Sequence, residues 1–431
     1  MGLSEIEEIL KGRKEGEVLI RGWLHHKRSS GGIAFFLIRD GSGVIQCTLK
    51  RDVLGEKFDE IEKLPVESVV EVEGEVKKDE RAPGGYEISA SDIKIVSKAE
   101  EGFPIAKKYH GPDFLLNYRH LWIRSEKMQA VLKFRAKFLK IAREWFGKNG
   151  FTEFHSPIFT ATACEGGATL FPVKYFDREV FLTQSWQLYA EAGIASLGKI
   201  YTIAPSFRAE KSRTRRHLTE YWHLEAEMPF CDFECLIETI EDFITYVCHR
   251  IVQEAKDELK KFKRSEEDLL KIKKPFPRIT YSEAIEILKK DGIKIEWGQD
   301  LGADEEKALT KHFDVPFFVT HYPKGIKAFY HKPDPKDERV TLSVDLLAPE
   351  GYGEIIGAGE RIEDLNTLLK RIEEEKLKKE DYEWYLDLRR YGSVKHSGFG
   401  LGVERFIMWV LKLKHIRDAV PFPRLINRVY P

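Results

Sequence analysis

The strongest chemical signal in this chain of 431 residues is one short basic run. Phe207-Arg208-Ala209-Glu210-Lys211-Ser212-Arg213-Thr214-Arg215-Arg216-His217 holds five Lys or Arg against one Glu. Guanidinium groups present a fixed fork of N–H donors that matches phosphate oxygens, so this concentration points to a polyanionic ligand. On charge alone, a solvated loop between strands is the alternative. A second signal is Ser397-Gly398-Phe399-Gly400-Leu401-Gly402-Val403-Glu404-Arg405. Its glycines would let backbone approach a flat ligand, and Arg405 could clamp a phosphate. The spacing is not a dinucleotide fingerprint. A third is Asp345 with Glu354, on adjacent segments of strand character. Such carboxylates suit Mg²⁺ bridging phosphates, and surface charge is the competing reading.

These groups need elements to hold them. The first hundred residues read as short strands rich in β-branched and aromatic residues: 17–23, 33–39, 44–49, 68–76 and 86–97. Gly- and Ser-rich turns separate most of them, and one helical segment, 53–64, lies in the third connection. This predicts a five-stranded oligonucleotide-binding barrel at 1–103. A Pro- and Gly-punctuated connector follows at 104–125. The rest, 126–431, opens on a helix over 125–148, where Val131, Phe134, Phe138, Ile141 and Trp145 recur at three and four residues, with Asn149-Gly150 as its stop. Strands are predicted near 151–154, 180–182, 199–207, 222–228, 316–321, 327–331, 340–348 and 353–357. Helices are predicted at 233–274 and 402–414, and the Lys/Glu run 372–381 reads as a solvated helix. Strands interspersed with long helices, without strict βαβ alternation, predict an α+β domain with an antiparallel sheet.

Composition excludes several classes. Lys plus Arg number 70 and Asp plus Glu 71, so the net charge of −1 is not that of a protein that coats nucleic acid. Aromatic residues at 12% argue against disorder. No run of 18 apolar residues exists to span a membrane, and Met1–Leu10 lacks the cations of a signal or transit peptide. Five cysteines, an odd number, argue against a disulfide framework and suit a reducing cytoplasm. Cys231 and Cys235, four apart with no second pair to complete a zinc set, are expected to pack as buried thiols.

Taken together, these motifs resemble the class II aminoacyl-tRNA synthetases of the aspartyl/asparaginyl subgroup, over essentially the whole chain. Residues 133–157 resemble motif 1, ending in Pro157. Phe207–Glu210, continuing through Arg216-His217 to Glu225, resembles motif 2, and Gly400–Arg405 resembles motif 3. The resemblance implies an N-terminal anticodon-binding barrel and a class II antiparallel sheet flanked by helices. It implies ATP and Mg²⁺ as cofactors and a homodimer built through motif 1. Arg208 is then expected on the α-phosphate, Glu210 on the adenine amino group, Arg216 and His217 on the phosphates, and Arg405 on the γ-phosphate. The resemblance also implies Arg208 and Arg405 as the catalytic pair and Asp345 and Glu354 as the metal ligands, with Glu354 counted in the ATP site. Gly357 stands where aspartyl enzymes often carry a metal-linked Ser.

The resemblance also bears on the amino acid. In Gln184-Ser185-Trp186-Gln187-Leu188-Tyr189-Ala190-Glu191, Ala190 stands where aspartyl enzymes place a Lys, and Glu191 follows as in the asparaginyl branch. Glu191 is expected to accept from a carboxamide and Arg361 to donate to the side-chain oxygen. Glu165, Ser185, Gln187 and His396 are expected nearby, although His396 could be structural. Glu360, Ile362 and Lys395 depart from the branch pattern. The implied partners are L-asparagine and tRNA(Asn), with a nondiscriminating aspartyl enzyme as the alternative. In the barrel, Phe35 and Gln46 are expected at the middle anticodon base and Arg28 at a phosphate. Residues 1–100 carry 16 Lys plus Arg and 20 Asp plus Glu, so stacking must carry much of that contact.

Overall fold

The computed structural model describes residues 2–164, 169–212 and 214–431, so Glu165 lies outside the described residues. The chain divides into two compact units, Met1–Gly111 and Pro112–Pro431. In the first, Glu17–Ser30, Ile33–Arg39, Val44–Lys50, Val69–Lys78 and Tyr86–Ser97 close into a barrel. The third and fifth strands pair in parallel and the other pairs are antiparallel. Alternation decides which side chains enter. Ala34, Phe36 and Ile38 are buried, with Phe58 and Ile61 of the helical segment in the same core. Phe35 therefore faces the other way and is half-buried, as the period of two predicts.

In the second unit, eight strands form a sheet in the order Arg278–Thr280, Phe317–Thr320, Ser343–Ala348, Gly353–Glu360, His396–Gly402, Glu220–Pro229, Ile200–Phe207, Thr152–Glu153. The six central strands are antiparallel, as expected. The two edge strands pair in parallel, which makes the sheet mixed. Helices Glu126–Lys148 and Phe233–Glu254 cover one face. Phe134, Phe138, Trp145, Ile240 and Phe243 pack there against Leu224, Ala226, Leu346, Ile356, Phe399 and Leu401. Ser125 caps the first helix and Asp232 the second, each side chain accepting a backbone N–H.

The same alternation fixes the opposite face. Residues 223, 225 and 227, 357, 359 and 361, and 396, 398, 400 and 402 point away from the helices. Glu354 breaks the parity of its strand, because a bulge pairs Leu346 with Ile356 but Leu347 with Glu354. That extra residue turns Glu354 to the face of Asp345.

A buried ion pair ties the helix Glu126–Lys148 to the helix Val403–Val410. Arg135 Nη1 lies 2.6 Å from Glu404 Oε1, and Glu404 Oε2 accepts the Trp222 N–H at 3.0 Å. Removing one partner strands the other charge, so Arg135→Met is expected to cost about 3–5 kcal/mol. A urea midpoint shifted by less than the error of the measurement would contradict this, and Arg135→Met with Glu404→Leu should recover much of the loss.

Several expectations are corrected. Residues 327–331 form no strand; they turn across the sheet face, and only His331 bridges to Arg361. The helix at the Lys/Glu run is Leu365–Glu374, and Lys376 then takes a φ of 54°. Cys231 and Cys235 are joined in a disulfide, with Cα atoms 5.4 Å apart. Asp232 starts the helix between them, so the two side chains meet across its first turn. Among the described residues no helix is long and apolar enough to cross a membrane.

Candidate active site

The uncovered sheet face carries a cavity of about 480 Å³. Its floor is the outward set just described: His223, Glu225, Glu227, Asp345, Glu354, Gly357, Arg361 and Gly400. Arg208, Lys327, Tyr330 and His331 wall it from the loops. The glycines of the last strand act through the space they leave. A Cβ on Gly398 would collide with the Glu227 carboxylate, and one on Gly400 with the His223 ring. They make room for buried side chains as well, while Gly400 and Gly402 also border the slot beside the cavity.

At one end lie the cations. Arg208, Arg216, His217, Tyr221 and Arg405 border a slot beside the cavity, and Arg208 and Glu354 line both spaces. The Arg208 guanidinium lies 5.7 Å from the centre of the Tyr221 ring. Arg216 Nη1 sits 2.7 Å from Glu306 Oε2 and donates through Nη2 to Glu354 O at 3.1 Å. Arg405 Nη1 donates to Glu354 Oε2 at 3.0 Å. His217 Nδ1 meets Ser212 Oγ at 3.0 Å and the Thr214 hydroxyl. Burial, and then the charge of Arg405, lower the pKa of His217. Glu210 lies on the outer side of His217, Oε2 3.8 Å from its Nε2, and lines neither the cavity nor the slot.

Asp345 and Glu354 meet above Gly357. A Cβ at that glycine would lie 3.4 Å from Glu354 Oε1 and 3.6 Å from Asp345 Oδ1, so one oxygen of each faces the same small space. Lys327 Nζ donates to both Asp345 oxygens, at 2.9 and 2.7 Å. Burial pushes the Asp345 carboxyl up to about 6, although Lys327 pulls the other way. Burial opposes ionisation of Glu354 as well, but Arg405, Lys327 and Arg216 hold it at about 2. The environment thus keeps at least one of the two carboxylates ionised near neutral pH.

At the other end, Arg361 makes a bidentate pair with Glu227, Nε and Nη2 at 3.0 and 3.1 Å from its two oxygens. Arg361 also lies 5.3 Å over the Tyr330 ring. Glu225 accepts from the Ser185 hydroxyl and from Trp186 N at 3.1 Å, and burial lifts its carboxyl to about 7. Ser185 and Gln187 line the cavity. Glu191 does not. It accepts from Gln187 Nε2 at 3.0 Å and from the Tyr385 hydroxyl at 2.8 and 2.7 Å, and its Oε2 lies 2.5 Å from Arg389 Nη2 and 2.9 Å from His396 Nε2. Burial alone would raise its pKa, but Arg389 and His396 hold it well below the usual carboxylate range. Glu191 is therefore a fully engaged anion behind the cavity wall, and His396 stands with it there.

In the barrel, Arg28 lies 4.6 Å over the Phe35 ring. Gln46 is buried and donates to Glu87 Oε2 at 2.9 Å.

Residues 111–426 match the family model described as tRNA synthetases class II (D, K and N), and residues 18–96 match that of the OB-fold nucleic acid binding domain. The chain belongs to the class II tRNA synthetases. Among this family, it is 50% identical to the asparagine–tRNA ligase of Pyrococcus abyssi over 431 residues, covering 99% of this chain and 98% of that one. It is 48% identical to that of Desulforamulus reducens over 415 residues, 96% of each. The asparaginyl-tRNA synthetase of Pyrococcus horikoshii complexed with asparaginyl-adenylate superposes with a TM-score of 0.97 at 49% identity, over 100% of both chains.

Within the synthetase site, sequence reasoning missed Glu227, Lys327, Tyr385 and Arg389. Glu227 had a signal: in His223-Leu224-Glu225-Ala226-Glu227-Met228, two glutamates alternate with apolar residues, so a strand there must aim both at one face. Arg389 and Tyr385 had none, since helix Glu383–Arg390 brings them to Glu191 across almost two hundred residues.

Proposed function

We infer that this chain is an asparagine–tRNA ligase that activates L-asparagine with ATP and transfers it to the 3′ end of tRNA(Asn). The observation that carries the substrate choice is the Glu227–Arg361 pair in the cavity wall; position 190, where the aspartyl branch places a lysine, is alanine. A carboxamide offers N–H donors to Glu227 and a carbonyl oxygen to Arg361. An aspartate side chain would meet the Glu227 charge.

The slot bordered by Tyr221 and Arg405 supports a reading with the adenine there and the phosphates over Arg208, Arg216, His217 and Arg405. Glu210, exposed beside His217, is the acceptor that the resemblance assigns to the adenine amino group. The α-phosphate falls where slot and cavity meet, at Arg208. There a carboxylate oxygen of asparagine attacks the α-phosphorus, an O–P bond forms, and pyrophosphate leaves. Fixed guanidinium groups stabilise the charge that builds on the phosphoryl oxygens. In the second step the 3′-hydroxyl of the terminal ribose attacks the adenylate carbonyl, and AMP leaves. Gln187 and Ser185 lie where they can orient the α-amino group, with Glu165 the further acceptor assigned to it by resemblance.

Asp345 and Glu354 fit a divalent cation, because each turns one oxygen to the open side of Gly357. Bound there, Mg²⁺ would neutralise phosphate charge. The helix Glu126–Lys148 carries the motif 1 resemblance, and with it a homodimer. In the barrel, Phe35 is available for stacking once Arg28 shifts to a phosphate, and Gln46 is held at the same sheet face by Glu87. Phe35→Ala is expected to weaken tRNA(Asn) binding by about 1–3 kcal/mol in a filter-binding titration, leaving amino-acid activation unchanged.

The decisive experiment is ATP–pyrophosphate exchange with asparagine and with aspartate in turn. Exchange with asparagine alone supports the inference. Exchange with both would make the chain a nondiscriminating aspartyl enzyme, and exchange with neither would remove activation altogether.

A further inference from the structure

The segment that was expected to be a strand instead carries Lys327 to the carboxylate pair, and this contact has no place in the reaction as described so far. Lys327 Nζ donates to both oxygens of Asp345, so it occupies the carboxylate from which a metal ion would be held. Its position is fixed from behind by the Tyr322 ring, whose centre is 4.0 Å from the ammonium. Glu354 is matched in the same way, with Arg405 Nη1 3.0 Å from Oε2. Two carboxylates thus face two cations, and the formal charge of this group is zero.

We propose that Lys327 is an internal counter-cation that competes with the divalent metal for Asp345, so that the metal binds firmly only together with ATP. This rests on the assignment of Asp345 and Glu354 to the metal. A divalent cation entering alone would give the four side chains a net charge of +2 in a buried site, which is strongly unfavourable. The triphosphate brings the missing negative charge. It also offers Lys327 new oxygens, so that Nζ can leave Asp345 without becoming unpaired. The lysine keeps a buried carboxylate paired while the site is empty and makes metal and nucleotide enter as a unit.

The probe is Mn²⁺, titrated into the full chain without nucleotide and read by the free-ion electron paramagnetic resonance signal. Lys327→Met and Lys327→Gln are each expected to bind Mn²⁺ about tenfold more tightly than the wild type, since the competing charge is gone. Lys327→Arg keeps the charge and is expected to stay within twofold of the wild type. A role confined to holding the fold would leave Mn²⁺ affinity unchanged or lower it in Met and Gln alike, and either result overturns the proposal. Asp345→Asn separates the two readings. If it leaves Mn²⁺ affinity in the presence of ATP unchanged, the metal assignment fails and takes the proposal with it. If it weakens that affinity while neither neutral variant gains any, the proposal alone fails. Circular dichroism melts show that each variant compared is folded.

Discussion

Glu227→Gln is expected to cut the preference for asparagine over aspartate by about 100-fold or more in kcat/KM for ATP–pyrophosphate exchange. Two like charges about 4 Å apart at an effective dielectric near 20 repel by roughly 4 kcal/mol, or nearly three powers of ten. On the proposed reading an aspartate carboxylate would meet that repulsion at Glu227, because position 190 is an alanine and the cavity's Lys327 is held by Asp345. With Gln at 227, Arg361 loses its bidentate anionic partner, leaving Glu191 behind the wall as its remaining neighbouring charge. Arg361 then favours the carboxylate that the wild type rejects. Glu191→Gln makes a useful contrast. Glu191 is shared among Gln187, Tyr385, Arg389 and His396 and does not line the cavity. Its loss leaves the buried Arg389 without its anion, so the variant should lose stability and raise the KM for asparagine while still rejecting aspartate. If Glu191→Gln collapses selectivity and Glu227→Gln leaves it intact, the reading of the side chain returns to Glu191.

This contrast shows where the sequence was legible. Strands and helices with a clean period could be read directly. The barrel strands Ile33–Arg39 and Tyr86–Ser97 and the capped helix Glu126–Lys148 stand where turn signals and apolar spacing put them. Motif residues of the ATP end were legible because they lie close together in the chain. Glu191 and Glu227 were harder to separate, because both are buried glutamates near Arg361 and only the helix from Glu383 to Arg390 decides between them. That helix supplies Tyr385 and Arg389, which draw Glu191 behind the wall and leave Glu227 to the cavity. The segment 327–331 misled for a similar reason. Its run of aromatic residues has strand character, but Lys327 is drawn to Asp345 and the backbone turns to follow. The bulge before Ile356 leaves no mark in composition either, yet it is what faces Glu354 toward Asp345. Local patterns specify elements; long-range ion pairs choose which polar residue of an element reaches the substrate.

Arg208→Ala is expected to lower kcat for asparagine-dependent pyrophosphate exchange by about 10²–10³-fold, the cost of removing one donor from a preorganised anion site. Among the described residues, Arg208 is the one arginine that lines both the large cavity and the adjoining slot. On the proposed placement, with the amino acid toward Arg361 and the base toward Tyr221, the α-phosphorus would fall at the junction of the two spaces, beside Arg208. Arg216 and Arg405 are each tied to a carboxylate and contact Glu354, so on the proposed reading they would hold the outer phosphates from a fixed frame. The charge gained on passing from ATP to the pentacoordinate phosphorus is spread over the α-phosphoryl oxygens and the bridging oxygen to pyrophosphate. An interaction made mainly with that state lowers kcat when it is lost and moves KM for ATP much less. Arg208→Lys keeps the charge but loses the planar fork, and should recover only part of the rate. A variant in which KM for ATP rises by the full factor while kcat stays at the wild-type value would move Arg208 from the transition state to ground-state nucleotide binding.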